Sequence, residues 1–326
     1  MTDDTDAYAR RTILRGAALG AALPLLPTAA AHARTPSPVP APGSASLRWL
    51  GTAGWRIDTG GRTVLFDPYL TRFTTGLFEK PFDPTTEIAE TDAELVREYA
   101  GNPELILVSH SHWDHIADVP YIARTTGARV LGTETTFHLL VALGVDPLQI
   151  SVVKGGEVLD FGRGLVVEVV ASLHSRNKQH SYFAPGTLTG PPATVPATIS
   201  DLPEGDTLAF QVTAGTDGPT LFLMGASDFS ERSAEGLRPD VAMVAVPSST
   251  STHRYVPRLL RALGRPEVVV PVHWDNFERP LRDPVQADPT MDLAGLIGQV
   301  HREAPGTRVV VPDYRTVYGA DLRPRR

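Results

Sequence analysis

The feature that most restricts the fold of this chain is a cluster of metal-binding side chains directly after an apolar run. Residues 104–109 form a run of strand length, and His110, His112, Asp114 and His115 follow it at once. Imidazole nitrogens suit zinc and related divalent ions, and a carboxylate adds a hard oxygen ligand. Because burying such a cluster without a partner is costly, the pattern predicts a metal site at the end of a buried strand. A solvated histidine-rich loop is the alternative.

The same pattern of apolar strand, short turn and polar residue recurs at His174, Asp228 and His273. Each has a simpler explanation when taken alone. His174 resembles a surface or capped histidine, Asp228 a helix cap or turn residue, and His273 a core histidine. The ends of neighbouring strands meet at one sheet edge, so together with the first cluster these residues predict a single metal site built from distant segments.

Composition excludes several function classes. The chain has 326 residues, 42% of them hydrophobic, which is enough for a large core. Its net charge of −7 disfavours nucleic acid as a partner, because no counterion release would favour binding. The absence of cysteine excludes disulfides, thiolate ligands and cysteine nucleophiles. We therefore expect a small-molecule substrate, and composition does not indicate an oligomeric state.

The first 33 residues predict an export signal. Arg10 and Arg11 form a twin-arginine pattern, and an uncharged, alanine-rich segment follows and ends in an Ala-x-Ala cleavage site. Residues 34–45 are rich in proline, serine and alanine and predict a disordered linker. The expected location is periplasmic or extracellular, with no stable membrane anchor after cleavage. A retained anchor or an amphipathic helix is the alternative, and prolines within the apolar segment argue against it.

The remaining residues, 46–326, predict one domain of the α/β (α+β) class. Short apolar strand patterns alternate with helical patterns in both halves. No linker within this range is long enough to require a second domain. This alternation predicts two sheets with helices on their outer faces.

These motifs, in this order along the chain, resemble the ligand motifs of the metallo-β-lactamase-fold hydrolases. The segment 50–54 (LGTAG) and the pair Asp67-Pro68 are similar to the branch that contains L-ascorbate-6-phosphate lactonase. The resemblance covers nearly all of the chain from Leu47 to Tyr318. It implies a four-layer αββα sandwich with the metal site at the edge of the sheets.

The resemblance also implies two divalent metal ions, with zinc as the expected metal and manganese or iron as alternatives. It assigns one ion to His110, His112 and His174. It assigns the other ion to Asp114, His115 and His273, with Asp228 bridging the two ions.

The implied reaction is hydrolysis of a lactone, ester or phosphodiester by hydroxide from a water shared between the ions. Asp114 is the candidate catalytic residue, which would orient the nucleophile or carry a proton, and its alternative role is as a ligand alone. Asp67 would accept a hydrogen bond from a ligand histidine, or would simply form the turn before Pro68. A metal-dependent sensor or binding protein on the same fold, without catalysis, is the second hypothesis.

Ligand types separate this chain from other members of the fold. Flavodiiron-type members have a carboxylate where this chain has His112, which disfavours redox iron. Typical β-lactamases of the fold lack the bridging aspartate and some require a cysteine, so Asp228 and the absence of cysteine disfavour β-lactam hydrolysis. Ribonuclease-type members share the ligands, but the acidic composition and the predicted export disfavour RNA.

Substrate contacts are expected in the insertions between strands. The range 175–205 predicts a long loop over the site, and a second loop carries His253. Residues 72–82 contain three phenylalanines and predict an apolar wall, or else core packing. The candidate substrate-binding residues are Arg176, Lys178, His180, Tyr182 and His253, and a solvated loop is the alternative.

Overall fold

The computed structural model describes residues 45–78, 81–282 and 284–325. The predicted export signal and residues 34–44 of the predicted linker lie outside the described residues. Within the described ranges, no helix is both long enough and apolar enough to span a membrane.

The described strands and helices alternate along the chain. The strands are β1 (Ser46–Gly51), β2 (Gly54–Thr59), β3 (Arg62–Phe66), β4 (Leu105–Leu107), β5 (Arg129–Gly132), β6 (Ile150–Val152), β7 (Val158–Asp160), β8 (Leu165–Leu173), β9 (Leu208–Ala214), β10 (Thr220–Met224), β11 (Asp228–Phe229), β12 (Val241–Ala245), β13 (Val268–Val272), β14 (Arg308–Val309) and β15 (Val317–Gly319). The α-helices are α1 (Ala93–Ala100), α2 (Trp113–Ile116), α3 (Val119–Thr126), α4 (Glu134–Ala142), α5 (Glu231–Ala234), α6 (Tyr255–Ala262) and α7 (Leu293–Glu303).

The strands form two mixed sheets. The first has the order β15-β1-β2-β3-β4-β5-β6, and its strands are parallel from β3 to β6. The second has the order β11-β8-β9-β10-β12-β13-β14, with β7 beside β8, and its strands are parallel from β10 to β14. Strands β12 and β13 are buried along their whole length, as expected for parallel strands covered on both faces.

The two sheets pack face to face around the core. The rings of Phe66 on β3 and Phe210 on β9 meet edge to face at 6.1 Å. Helix α4 contacts β5 and β6 of the first sheet, whereas α5 contacts β8 and α7 contacts β13 of the second. Two sheets with helices against each confirm the predicted α/β fold of the αββα type.

Local signals define the helix ends. Thr133 caps α4 by accepting the backbone N–H of Thr136, and Asp92 caps α1 in the same way through Leu95. Helices α2 and α3 are separate, although only Ala117 and Asp118 lie between them. Pro120 lies in the first turn of α3, a position where proline starts a helix and does not continue one.

Strands from both sheets end at the same edge of the sandwich. Strands β3 and β4 run in the same direction in the first sheet. Strands β8 and β10 are both antiparallel to β9, so they share a direction with each other and with β12 and β13. The residues that follow these strand ends are Asp67, His110, His174, Gly225, Pro247 and His273.

Candidate metal centre

Six of the seven predicted ligands lie together at this edge in two groups. The three-histidine group consists of His110, His112 and His174. The Asp-His-His group consists of Asp114, His115 and His273. In each group, one potential ligand atom from every residue lies within 4.8 Å of the others.

Hydrogen bonds fix which nitrogen each ring of the three-histidine group presents. The Ser109 hydroxyl donates to Asp67 at 2.5 Å, so its oxygen accepts from His110 Nδ1 at 3.0 Å and leaves Nε2 free. His174 Nδ1 donates to the Ser175 carbonyl at 2.8 Å, which also leaves Nε2 free. His112 differs, because its Nε2 faces the Ala184 carbonyl at 3.4 Å and its Nδ1 remains available.

The Asp-His-His group is organised around one carboxylate oxygen. Asp114 Oδ2 lies 3.1 Å from His273 Nε2 and 3.5 Å from His115 Nε2. On the opposite side of its ring, His115 Nδ1 contacts Asp67 Oδ2 at 2.8 Å. The predicted contact between Asp67 and a ligand histidine is therefore present, and it directs His115 Nε2 towards Asp114.

Burial sets the charge state of the three-histidine group. It lowers the pKa of His112 to about 3 and that of His174 to about 4, and it lowers the pKa of His110 well below its ordinary value. The neighbouring imidazoles lower the pKa of His110 further. These rings are therefore neutral near pH 7, which is the form that binds a metal ion.

Carboxylates dominate the other group. Burial alone would raise the pKa of Asp114, but the imidazoles of His115 and His273 outweigh it and the pKa is lowered. Burial would lower the pKa of His115, but Asp114 and Asp67 outweigh it and the pKa is raised. The Asp-His-His group therefore differs from the three-histidine group in that it contains an ionised carboxylate, that of Asp114.

The donor set fits divalent metal ions. His110 Nε2 is buried and has no hydrogen-bond partner, although burying an unpaired polar atom is costly. His110 and His115, one from each group, lie with ring centres only 3.9 Å apart. An ion at each group would accept the free nitrogen lone pairs, and five imidazoles with one carboxylate are a donor set that zinc favours.

His273 is held in a strained backbone conformation by a buried ion pair. Its φ of +61° lies in the left-handed region, and its N–H donates to the Thr52 carbonyl at 2.7 Å. The Thr52 N–H donates in turn to Asp275 at 3.0 Å. Asp275 also accepts from Arg72 at 2.9 Å and from the Tyr314 hydroxyl at 2.7 Å. This network fixes the loop that carries His273.

Asp228 lies outside both groups. It begins β11, where it pairs with Leu173 at the end of β8. Its Oδ1 accepts the N–H of Phe229 at 2.8 Å, and the residue is half-buried. The structure therefore does not bring Asp228 into either group, and Asp114 is the one carboxylate among the six grouped residues.

Gly225, at the end of β10, lies where the chain passes closest to the Asp67 and Ser109 pair. A Cβ at this position would lie 2.2 Å from Ser109 Oγ and 2.8 Å from Asp67 Oδ2. A Cβ atom does not approach other heavy atoms this closely, so glycine fits beside this pair and a larger residue would displace it.

The centre opens into a cavity of about 280 Å³. Ligands of both groups line it, together with Tyr182 and an apolar set formed by Leu77, Trp113, Phe183, Phe277 and Met291. A second cavity of about 640 Å³ lies beyond His174 and Tyr182, and charged residues such as Lys154, Arg176 and Asp228 line it.

The predicted substrate contacts have different outcomes. Tyr182 lines the metal cavity, and its ring stacks on that of His174 with the ring centres 4.4 Å apart. Its hydroxyl donates a hydrogen bond to Glu204. Burial and Glu204 raise the pKa of Tyr182 to about 12. Arg176 lies over the Tyr182 ring and lines the second cavity. Lys178, His180 and His253 are exposed and do not line the metal cavity, so the structure does not bring them to the site.

Sequence reasoning missed several residues of the centre. Ser109, Asp275 and Gly225 act through contacts that are distant in sequence, although each lies within two residues of a ligand or of a strand end. Phe183 and Phe277 are not among the predicted substrate contacts, because an apolar loop residue is equally well explained by core packing. An aromatic residue close to a ligand in sequence was the available signal.

The sequence and the fold of this chain are similar to those of known proteins. A family model described as a beta-lactamase superfamily domain matches residues 46–273, which include all six grouped ligands. The chain belongs to this superfamily. A UPF0173 metal-dependent hydrolase of Cupriavidus taiwanensis is 28% identical over 302 residues, covering 90% of this chain and 96% of the relative. Another, of Cupriavidus necator, is 34% identical over 175 residues, covering 50% of this chain and 56% of the relative.

A solved structure shares the fold of this superfamily member. Igni18, described as a novel metallo hydrolase from the archaeon Ignicoccus hospitalis, aligns with a TM-score of 0.54 at 22% identity, covering 85% of this chain and 98% of that chain. The comparisons confirm the predicted enzyme class, a metal-dependent hydrolase of the metallo-β-lactamase fold. The resemblance to the lactonase-containing branch stays a prediction.

Proposed function

We propose that this protein is a dinuclear metal-dependent hydrolase that cleaves a lactone, ester or phosphodiester bond in a small molecule. The observation that carries the proposal is the pair of adjacent ligand groups, each with three donor atoms turned towards one another. The proposed ions are zinc, with manganese or iron as alternatives, because imidazole suits all three.

Two divalent ions held by these groups would lower the pKa of water and polarise the oxygen of the scissile group. Residues of the chain fix the orientation of the rings that would hold these ions. Ser109 and the Ser175 carbonyl orient His110 and His174, and Asp67 orients His115. Preset ring orientations reduce the reorganisation needed at reaction.

Asp114 is the residue we propose to combine two roles. Its Oδ2 faces both histidines of its group and is the candidate ligand atom. A carboxylate has a second oxygen, and we propose that this oxygen accepts a proton from the attacking water and passes it to the leaving oxygen. Hydrolysis then forms a bond from the water oxygen to the carbonyl carbon or phosphorus, breaks the bond to the leaving oxygen, and releases that oxygen as an alcohol.

Without Asp228, the proposed ligand set has one carboxylate. The argument from Asp228 against β-lactam hydrolysis therefore no longer holds, and only the absence of cysteine remains of it. A β-lactam belongs in the substrate panel for this reason.

Export also remains a proposal, supported by the twin-arginine pattern at Arg10 and Arg11. We expect the processed protein outside the cytoplasm. The test is fractionation of host cells, in which the location of the native protein is compared with that of the double variant Arg10→Lys, Arg11→Lys. Equal cytoplasmic retention of the native and the substituted protein would contradict it.

The deciding experiment measures metal content and hydrolysis in the same preparation. We expect close to two ions per chain, and we expect His112→Ala to lose both an ion and the hydrolysis of a panel of lactones, esters, phosphodiesters and β-lactams. No bound metal, together with unchanged hydrolysis in His112→Ala, would refute the proposal. Retained metal without turnover on any substrate would favour a metal-dependent sensor or binding protein.

A further inference from the structure

A continuous aromatic wall lines one side of the metal cavity. The ring of Trp113 meets that of Phe183 edge to face at 5.3 Å, and its centre lies 6.5 Å from that of the Phe277 ring. All three side chains line the cavity. Trp113 lies between two ligands in sequence, so the wall is part of the centre itself.

The wall extends along both ligand groups. Phe183 lies 5.9 Å from His112, a member of the three-histidine group. Phe277 lies 5.0 Å from His273, a member of the Asp-His-His group. A substrate whose reacting atom sits between the two groups therefore has this wall directly beside it.

Three separate loops build the wall and its rim. Phe183 belongs to the loop between β8 and β9, Phe277 follows β13, and Leu77 belongs to the loop between β3 and α1. Phe277 is buried and packs edge to face on Phe78 at 4.9 Å. Leu77 is 42% exposed at the cavity, so part of this apolar surface is open to a ligand.

The neighbouring cavity has the opposite character. Lys154, Arg176, Glu204 and Asp206 line it, whereas the described lining of the metal cavity contains neither lysine nor arginine. The metal cavity therefore has neither lysine nor arginine among its described lining residues to pair with a phosphate, but it has a surface that gains free energy by covering an apolar group.

We propose that the wall formed by Phe183, Trp113 and Phe277 binds the non-reacting part of the substrate. The substrate is a small carboxylic ester or lactone that carries an aromatic or branched apolar group next to the scissile carbonyl. This inference rests on the proposed function and narrows it. In the reaction, the carbonyl carbon gains the water oxygen, its bond to the alcohol oxygen breaks, and that oxygen takes the proton.

The volume of the cavity limits the substrate. About 280 Å³ accommodates one ring or a short branched chain beside the reacting group. Aromatic rings set edge to face also favour a flat ligand group over a flexible chain. Placing one additional ring against such a surface changes discrimination by about tenfold or more.

The test compares two esters with the same leaving group, 4-nitrophenyl acetate and 4-nitrophenyl phenylacetate. We expect metal-loaded enzyme to prefer the phenylacetate by about tenfold in kcat/KM, after division by the rates with hydroxide alone. Calorimetry with the free acids gives a readout independent of turnover, and phenylacetate is expected to bind about tenfold more tightly than acetate.

Phe183→Ala is the decisive variant, because Phe183 is half-buried and lies on a loop. We expect it to abolish most of both preferences, and Phe183→Leu to keep part of them. Phe137→Ala is the matched control, since Phe137 is also half-buried but lies on α4 and does not line the cavity. Leu77→Ser serves as a second variant if Phe183→Ala does not fold.

The outcomes separate this inference from the proposed function. Hydrolysis of both esters with equal efficiency would overturn the wall as a specificity surface and leave the hydrolase intact. An undiminished preference in folded Phe183→Ala and Leu77→Ser would do the same. Selective phenylacetate binding by metal-loaded protein, without hydrolysis of either ester, would support the wall and count against the proposed reaction.

Discussion

The three-histidine group and the Asp-His-His group meet in one centre, yet they are supported differently. A serine hydroxyl and two backbone carbonyls orient the rings of the first group, and all of these partners are neutral. Buried carboxylates support the second, since Asp67 contacts His115 and the Asp275 network fixes the loop that carries His273. The second group therefore depends on charges brought from distant segments of the chain.

This difference has an energetic consequence. A neutral hydrogen bond contributes about 0.5–1.5 kcal/mol, whereas removing one partner of a buried charge pair costs about 3–5 kcal/mol. We therefore expect the second group to be the more sensitive of the two to substitutions behind its ligands.

Asp114→Ala should have the largest effect on the centre. It removes the one carboxylate among the six proposed ligands, so we expect the metal content to fall from the proposed two ions to one and kcat/KM to fall by about 10³-fold or more. Elemental analysis and kinetics on the same sample measure both. Asp217→Ala, on an exposed turn, is the control. Two retained ions in Asp114→Ala would contradict the division of ligands.

Asp67→Asn should have the next largest effect. It keeps the shape but removes the charge that supports His115 directly and His110 only through Ser109, so we expect affinity for the ion of the Asp-His-His group to fall the more, by about 10–100-fold. Competition with a chelator, which resolves the two ions, measures this change. If the ion held by the three-histidine group weakened by as much, the contrast between the groups would be lost.

Asp275→Asn should act mainly on stability. It leaves the buried Arg72 without its carboxylate, so the free energy of unfolding is expected to fall by about 3 kcal/mol. Affinity for the ion of the Asp-His-His group should fall by less than in Asp67→Asn. Chemical denaturation and chelator competition give the two values. Glu104→Gln breaks a partly exposed ion pair with Arg62 and is expected to cost only about 1 kcal/mol or less.

Ser109→Ala should have the smallest effect. It removes the neutral partner of His110, worth about 1 kcal/mol, so we expect affinity for the ion of the three-histidine group to fall by about fivefold. The same chelator competition measures it. A loss greater than that of Asp67→Asn would reverse the proposed contrast.

The fold and the six grouped ligands were accessible from sequence for a physical reason. A buried strand gives a continuous apolar run, and parallel strands that share a sheet edge bring the residues after them together. His110 and His273 were found in this way, although they are 163 positions apart. The division of the six residues between two ions is implied by the resemblance to the metallo-β-lactamase-fold hydrolases and not by these patterns alone.

The remaining predictions depended on side-chain direction, which sequence does not give. Asp228 follows β10 by a short turn, as expected, but that turn carries it into β11 beside β8. Lys178 and His180 belong to a tight turn in which the Asn177 side chain accepts the N–H groups of Gln179 and Ser181. These hydrogen bonds stay within the turn, and Lys178 and His180 remain exposed to solvent.

Gly225 has a consequence for comparing natural variants of this protein. A side chain at position 225 would occupy the space of the Ser109 hydroxyl and the Asp67 carboxylate. We therefore expect these three positions to change together among related sequences. A variant with a larger residue in place of Gly225 should also have lost Ser109 or Asp67. Sequences that keep the ligands but break this trio would then identify proteins whose centre is assembled differently.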